Sequence, residues 1–225
     1  MNGKKWTALV LFALAFAFNL VASYLDIKLM EYITKPMLMP LVLLNALLAL
    51  EGSKAPKWLT LFLALALCFH CAGDVCLMLQ GFTLFATGLG CFLVGHIFYI
   101  SIFVRQGVFR GVSVFSLILV ILATLATIMF LVVIFKFEGP IKYPVFVYGS
   151  MLLFVSMCGF SGALNRRKAV YWYAALGALL FLFSDFMVAW RSLLGHTFQG
   201  MGFWIMLTYV SAECLIVTSI VKSNR

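Results

Sequence analysis

Two acidic residues lie within stretches of the chain that are otherwise apolar. Asp74 follows His70 by four positions in Phe-His-Cys-Ala-Gly-Asp, and Asp185 ends the similar sequence Phe-Leu-Phe-Ser-Asp. A charged side chain inside a membrane-length apolar run costs several kcal/mol unless it faces a cavity or a partner, so each carboxylate indicates a functional site. Two carboxylates in one poorly hydrated site can act as general acid and general base, the arrangement used for hydrolysis through an oxocarbenium-like intermediate.

His70 and Asp74 also have the i, i+4 spacing of two metal ligands on one helix face, and His196 or Asp185 could complete a zinc site. No dense ligand motif accompanies this pair, so we predict no metal and no other cofactor. Ser161 lies in Gly-Phe-Ser-Gly, which departs from the nucleophile-elbow pattern. A serine hydrolase is therefore disfavoured.

The composition indicates the class of protein. Hydrophobic residues make up 65% of the 225 residues, charged residues make up 10%, and the mean hydropathy is +1.13. This leaves too little polar surface to coat a water-soluble protein. The net charge is +9, but Lys and Arg stand singly or in short groups between apolar runs, where membrane topology and anionic lipid headgroups account for them. A nucleic-acid partner is therefore not expected.

Eight apolar runs approach or reach the bilayer-spanning length of ~20 residues, which predicts an all-α, polytopic integral membrane protein with eight transmembrane helices. The second run is short because Pro36 suits the first turn of a helix and Pro40 should kink or delay it. The connections are brief and contain no Ser-rich or Pro-rich linker, so residues 1–225 are expected to form a single transmembrane domain. The predicted helices span about residues 6–25, 36–50, 58–79, 82–104, 112–135, 141–162, 169–191 and 199–222.

The distribution of basic residues predicts the orientation of these helices. Eleven Lys and Arg residues lie on the side that carries both termini, and five lie on the opposite side. The positive-inside rule therefore places both termini in the cytoplasm. Compact loops and the absence of a sorting tail favour a bacterial inner membrane over the endoplasmic reticulum. The five residues on the opposite side are Lys28, Lys35, Lys136, Lys142 and Arg191.

The two acidic segments suggest an internal repeat. Asp74 and Asp185 are 111 positions apart, and each lies 16 residues from the start of its predicted helix. Two parallel four-helix repeats would explain the similarity, and chance similarity in a biased composition is the alternative. In either case both carboxylates are expected at one depth, roughly 24 Å from the cytoplasmic end at ~1.5 Å per residue.

Basic residues should surround these acids on the non-cytoplasmic side. Lys35, Lys142 and Arg191 are predicted to form a basic rim above Asp74 and Asp185. A basic rim suits a phosphate group, and paired acids below it suit proton chemistry. The alternative is structural: the acids form buried ion pairs, and the long cationic side chains only extend to the interface.

His96 belongs to a second group of polar and small residues. Gly88 and Gly95 should let two helices approach closely. His96 and Glu213 are expected at similar depth, so they are predicted to pair. On straight helices His96 would lie ~12 Å from the level of the aspartates, which favours a supporting role over catalysis.

At this point the motifs show a resemblance to a known family. The chain resembles the YhhN-like transmembrane lysoplasmalogenases over nearly its whole length, with the motifs in the same order. The motifs that carry the resemblance are Thr34-Lys35-Pro36 leading to Pro40, Gly73-Asp74-x-Cys-Leu, Phe85-x-x-Gly88, Phe92-x-x-Gly95-His96-x-Phe-Tyr99, Pro144-Val-x-x-Tyr148 followed by Met151, and Ser184-Asp185.

The resemblance implies an eight-helix membrane hydrolase that cleaves the vinyl ether bond of lysoplasmalogens. The products would be a fatty aldehyde and glycerophosphoethanolamine or glycerophosphocholine, and the partners would be the lysophospholipid substrate and membrane lipids. It implies that the two matching aspartates are catalytic. Together with the basic rim and the nearby polar side chains, this predicts two catalytic residues, four substrate-binding residues and three supporting residues. In that order these residues are Asp74 and Asp185; Lys35, Tyr148, Arg191 and Lys142; and His96, Tyr99 and His70.

Two other classes fit parts of the pattern. A non-enzymatic transporter or lipid-binding protein could use a parallel repeat and interior acids for proton coupling. A metal-dependent amidase of the alkaline ceramidase kind would need a bound zinc ion, and His70 is not part of the family pattern described above.

Overall fold

The computed structural model describes residues 3–79, 81–110, 142–165 and 168–224, together with positions 118, 122, 125, 126 and 129. These residues contain no strand and include seven helices long and apolar enough to cross a membrane. The prediction of an all-helical, multi-pass membrane protein is therefore confirmed. The helices are α1 (Gly3–Leu25), α2 (Lys28–Leu50), α3 (Lys57–Met78), α4 (Phe82–Arg105), α5 (Lys142–Asn165), α6 (Tyr171–Leu194) and α7 (Met201–Ser223).

The helices α4 and α5 run parallel to each other. Ser161, late in α5, donates a 2.8 Å hydrogen bond to the carbonyl of Val108, which follows α4. Earlier in both helices, the rings of His96 and Tyr148 have centroids 6.0 Å apart. The predicted helix 112–135 between α4 and α5 lies outside the described residues, apart from five single positions. The count of eight helices and the two four-helix repeats are therefore not confirmed.

The second helix is longer than the sequence predicted. It begins at Lys28 rather than near residue 36, because Asp26 adopts a left-handed conformation with φ of 56° and reverses the chain within two residues. Asp tolerates this conformation better than most residues. Lys35 consequently lies on a helix instead of in a loop. We call the end of the bundle where α2 begins the Lys28 end, and the end where α3 begins the Lys57 end.

Pro36 and Pro40 lie inside α2, contrary to the predicted start of that helix. Pro40 has no N–H, so the carbonyl of Pro36 loses its helical donor. The thiol of Cys71 on α3 lies 3.4 Å from that carbonyl and donates to it. This contact joins α2 to α3 next to Lys35 and three residues before Asp74.

Small residues hold α3 and α4 close together, as predicted for Gly88 and Gly95. A Cβ atom at Gly88 would lie 3.2 Å from the carbonyl oxygen of Gly73, and one at Gly95 would lie 3.0 Å from the carbonyl oxygen of Ala66 and would overlap the ring of His70. Because Gly95 has no side chain, the imidazole of His70 fits between α3 and α4 at this position.

The helix α7 occupies the centre of the described bundle. It packs against α1, α2 and α6, and its side chains also reach α3 and α4. Large apolar side chains such as Trp6, Leu14 and Phe18 are exposed on α1, on the outer surface. Polar side chains are buried inside, which is the distribution expected of a protein surrounded by lipid.

Candidate active site

Asp74 lies near the end of α3 in the interior of the bundle, with 1% of its surface exposed. Its Oδ2 atom accepts a 2.8 Å hydrogen bond from the hydroxyl of Tyr209 on α7, and its Oδ1 atom lies 3.4 Å from Nζ of Lys35 on α2. A buried carboxylate needs such partners, because its desolvation is otherwise costly. The helices α2, α3 and α7 therefore meet at Asp74.

Asp185 lies on α6 and accepts a hydrogen bond from the hydroxyl of Tyr148 on α5. The preceding residue, Ser184, donates a 3.1 Å hydrogen bond to the carbonyl of Ile205, which holds α6 against α7 at this level. Phe181 lies one helical turn before Asp185 on α6, and its ring centroid is 5.3 Å from that of Tyr209, the partner of Asp74, so the two acids lie in the same part of the interior. The structure thus brings together the two acids that the sequence singled out. We call Asp74, Asp185 and their tyrosine partners the aspartate site.

A third carboxylate lies one helical turn further along α7 from Tyr209 and has different partners. Glu213 on α7 receives a 2.6 Å hydrogen bond from the hydroxyl of Tyr99 on α4, and its other oxygen lies 2.5 Å from Nδ1 of His70 on α3. All three side chains are fully buried. We call these three residues the enclosed cluster. Since His70 is four residues before Asp74 and Glu213 is four residues after Tyr209, α3 and α7 make two successive polar contacts.

The predicted pairing of His96 with Glu213 is wrong. Nδ1 of His96 lies 2.6 Å from the carbonyl oxygen of Phe92 in its own helix, and Nε2 has no hydrogen-bond partner among the described residues. Its ring packs against His70 and Phe181, with centroids 4.8 Å and 4.6 Å away. Residue counting predicts the depth of His96 but not the direction of its side chain. The rotation of α4 directs His96 toward His70 and Phe181 instead of Glu213.

Phe181 separates and contacts both polar groups. Its ring centroid is 5.3 Å from that of Tyr209 in the aspartate site and 5.7 Å from that of His70 in the enclosed cluster. Phe92 adds a further edge contact to Tyr209, at 5.9 Å. The tyrosine that contacts Asp74 is therefore packed among aromatic rings, which lowers the local polarity.

A pocket of about 380 Å³ opens at the Lys28 end, and Lys35, one of the residues that line it, contacts Asp74. The ends of α1, α3 and α6 and the starts of α2 and α7 line it, and its charged residues are Lys28, Glu31, Lys35 and Arg191. Two of the predicted rim residues, Lys35 and Arg191, therefore share one pocket, and Lys35 joins that pocket to Asp74. We call it the basic pocket. Three cations and one acid favour a ligand that carries an anionic group.

The remaining predicted residues do not complete a metal site. Among the described residues, no group of three His, Cys, Asp or Glu side chains is placed to hold a metal ion. His70 and Asp74 face different partners, and His196 packs against Trp190 with ring centroids 5.3 Å apart. Lys142 is the first residue of α5, and its side chain lies outside the described part of the structure.

The sequence analysis did not predict that Tyr209 and Glu213 on α7 contact α3. A signal was present: these residues are four apart on α7, as His70 and Asp74 are on α3. Two polar residues at that spacing line up on one face of a helix, so two such helices can pair face to face. The pattern does not reveal which helices are neighbours.

The fold and the site define a polytopic helical membrane protein whose interior carboxylates adjoin a basic pocket. Its family follows from comparison with known proteins. The model of the YhhN family matches residues 30–220, so the chain belongs to the YhhN family. Searches of curated proteins and of solved structures found no match.

Proposed function

We propose that this protein is a lysoplasmalogenase, a hydrolase of the vinyl ether bond in alkenyl lysophospholipids. The observation that carries the proposal is the contact between Lys35 and Asp74, which joins an interior carboxylate to a basic pocket. Membership of the YhhN family is compatible with this activity. The carboxylates supply proton chemistry, and the pocket supplies a place for a phosphate.

The substrate fits the site in one orientation. Its phosphate lies in the basic pocket against Lys35 and Arg191, which both line it. The vinyl ether then lies one glycerol unit further in, at the level of Asp74 and Asp185. The alkenyl chain is proposed to extend among the apolar side chains of the bundle. Apolar and anionic parts of one lipid thus meet surfaces of matching chemistry.

The reaction needs one acid and one base. The carboxylic acid protonates the vinyl carbon distant from the ether oxygen, and the positive charge that remains is an oxocarbenium ion. The ionised carboxylate stabilises that charge and then removes a proton from water, which adds to the carbon next to oxygen. As the hemiacetal collapses, the carboxyl group that took the proton from water donates it to the leaving glycerol oxygen, and the carboxylate that protonated the vinyl carbon takes the proton of the hemiacetal hydroxyl. The products are a fatty aldehyde and the glycerol hydroxyl, one water is consumed, and both carboxyl groups return to their first state.

The contacts of the two aspartates support one assignment of these roles. Lys35 carries a positive charge 3.4 Å from Asp74, so Asp74 is the ionised member that stabilises the oxocarbenium ion and accepts a proton from water. Asp185 is then the acid, held in place by Tyr148.

In the membrane the Lys57 end faces the cytoplasm, together with both termini, because it carries the excess of Lys and Arg residues.

A product assay on the purified protein tests the proposal. An alkenyl lysophospholipid and its acyl analogue are offered separately, and free aldehyde and free fatty acid are measured by mass spectrometry. Aldehyde should accumulate from the alkenyl lipid, and no fatty acid should be released from the acyl lipid. If the protein binds the alkenyl lipid and releases no aldehyde, it is a transporter or lipid-binding protein instead, because such proteins make no new product.

A further inference from the structure

We propose that Glu31 binds the primary ammonium of an ethanolamine headgroup, so that the protein prefers ethanolamine lysoplasmalogens over choline lysoplasmalogens. This inference rests on the proposed function and extends it to the headgroup. It starts from one juxtaposition: Glu31 and Lys35 both line the basic pocket, and Lys35 also contacts Asp74.

The order of charges along α2 matches the order of groups along the substrate. Glu31 and Lys35 are four residues apart, about 6 Å along the helix axis. Passing outward from the buried carboxylate of Asp74, the protein therefore presents the cation of Lys35 and then the carboxylate of Glu31, and both of these line the pocket. The substrate presents a vinyl ether, a phosphate and an amine in the same order. A phosphate held by Lys35 and Arg191 places the amine within reach of Glu31.

Glu31 retains capacity for a second cation. Its nearest basic partner is Lys28, whose Nζ atom lies 3.5 Å from Oε2 of Glu31 but only 2.6 Å from Asp26. The Glu31 side chain is 20% exposed, whereas that of Asp26 is 78% exposed. An ion pair at Glu31 is therefore less screened by water than one at Asp26, and a ligand ammonium binds there more strongly.

The chemistry of the pocket favours a primary over a quaternary ammonium. A primary ammonium donates hydrogen bonds to a carboxylate, whereas choline has no N–H and is recognised by the faces of several aromatic rings. Among the described residues that line the pocket, Tyr32 is the one aromatic side chain, and its hydroxyl lies 3.4 Å from the carbonyl oxygen of Met78. A cage of several rings is therefore missing from the described lining.

A comparison of kcat/KM between lipids with different headgroups tests this inference. Purified protein and the variant Glu31→Gln are assayed with alkenyl glycerophosphoethanolamine and alkenyl glycerophosphocholine of one chain length. The wild type should show a kcat/KM about tenfold higher for the ethanolamine lipid, and Glu31→Gln should bring that ratio close to one. Glu51→Gln is the matched control, because Glu51 is exposed just after α2 at the Lys57 end, and it should keep the wild-type ratio.

Three outcomes would overturn the inference. They are equal kcat/KM values for the two lipids in the wild type, a preference for choline, or an unchanged ratio in Glu31→Gln. The alkenyl lipid without an amine, alkenyl glycerophosphate, separates general damage from lost recognition, because damage to the pocket lowers kcat/KM for all three lipids alike.

The headgroup inference can fail or hold separately from the proposed function. If no lipid releases aldehyde, hydrolysis is excluded, and binding is measured instead by the rise in Tm that lysophosphatidylethanolamine or lysophosphatidylcholine produces. A larger rise with the ethanolamine lipid that disappears in Glu31→Gln still supports the inference. Equal rises in the wild type overturn it.

Discussion

The interior of this protein holds two polar groups that look alike in sequence and differ in access. The aspartate site reaches the basic pocket through Lys35, whereas the enclosed cluster of His70, Tyr99 and Glu213 is fully buried and pairs within itself. Both groups join α3 to α7, one helical turn apart. An acidic residue inside a membrane protein therefore marks a reactive site when its partners connect it to a cavity, and a structural contact when its partners enclose it.

The largest effect should come from the acids of the aspartate site. Asp74→Asn or Asp185→Asn should lower kcat about 100-fold to 10,000-fold, because each removes an acid or base from the reaction. Asn keeps the size of the side chain and an oxygen that accepts the tyrosine hydrogen bond, so the Tm in detergent should stay near that of the wild type. Aldehyde release and thermal unfolding are measured side by side.

Asp26→Asn is the control for these variants, because Asp26 is a carboxylate in an exposed turn. It should retain wild-type kcat. Full activity in either interior variant would remove that aspartate from the mechanism.

Breaking the enclosed cluster should affect stability instead of chemistry. Glu213→Ala leaves a buried imidazole of His70 and a buried hydroxyl of Tyr99 without their acceptor, which should lower the free energy of unfolding by about 3–5 kcal/mol. Denaturant titration in detergent measures this loss. The double variant Glu213→Ala, His70→Ala should lose less than the sum of the single variants, because the two residues share one contact. A stable Glu213→Ala protein without activity would instead place Glu213 in the reactive site.

Two tyrosines provide the sharpest test of the comparison. Tyr209→Phe removes a hydrogen bond to Asp74, and Tyr99→Phe removes one to Glu213. A hydrogen bond to a charged group contributes about 1.5–3 kcal/mol, so Tyr209→Phe should lower kcat/KM roughly 10-fold to 150-fold. Tyr99→Phe should lower the free energy of unfolding by a similar amount and leave kcat/KM per folded molecule nearly unchanged. An equal loss of kcat/KM in both variants would mean that the enclosed cluster contributes to the reaction as much as the aspartate site does.

The smallest effect is expected at the exposed turn between α1 and α2. Lys28 donates a hydrogen bond to Asp26 and holds the pKa of that carboxyl below its ordinary value of 3.8. A carboxyl whose pKa is lower in the folded state than in the unfolded state stabilises the fold at neutral pH. This contribution is lost as the pH falls below 3.8 and through the lowered pKa of the folded state. Since both side chains are more than half exposed, Asp26→Asn should cost less than about 1 kcal/mol at pH 7. The difference in Tm from the wild type should shrink at pH 3, and a difference that grows there would contradict the assignment.

Prediction from the sequence succeeded where it depended on position along a helix. Apolar runs predicted the boundaries of α3 and α4 to within a residue or two. It failed at the start of α2, because Pro36 and Pro40 are tolerated in a helix whose freed carbonyl is satisfied by Cys71 of α3. A donor on another helix is not visible in the local sequence.

The amino-acid sequence alone determined the class of the protein, the positions of its acids along their helices and the family to which it belongs. An apolar run that matches the bilayer thickness can cross the membrane, and it does so as a helix because a helix satisfies every backbone hydrogen bond within the segment. Only the tertiary structure decided that Tyr209 contacts Asp74 and that Glu213 contacts His70 rather than His96. The physical reason is that depth follows from counting residues, whereas the rotation of a helix and the choice of its neighbours follow from packing across the whole bundle.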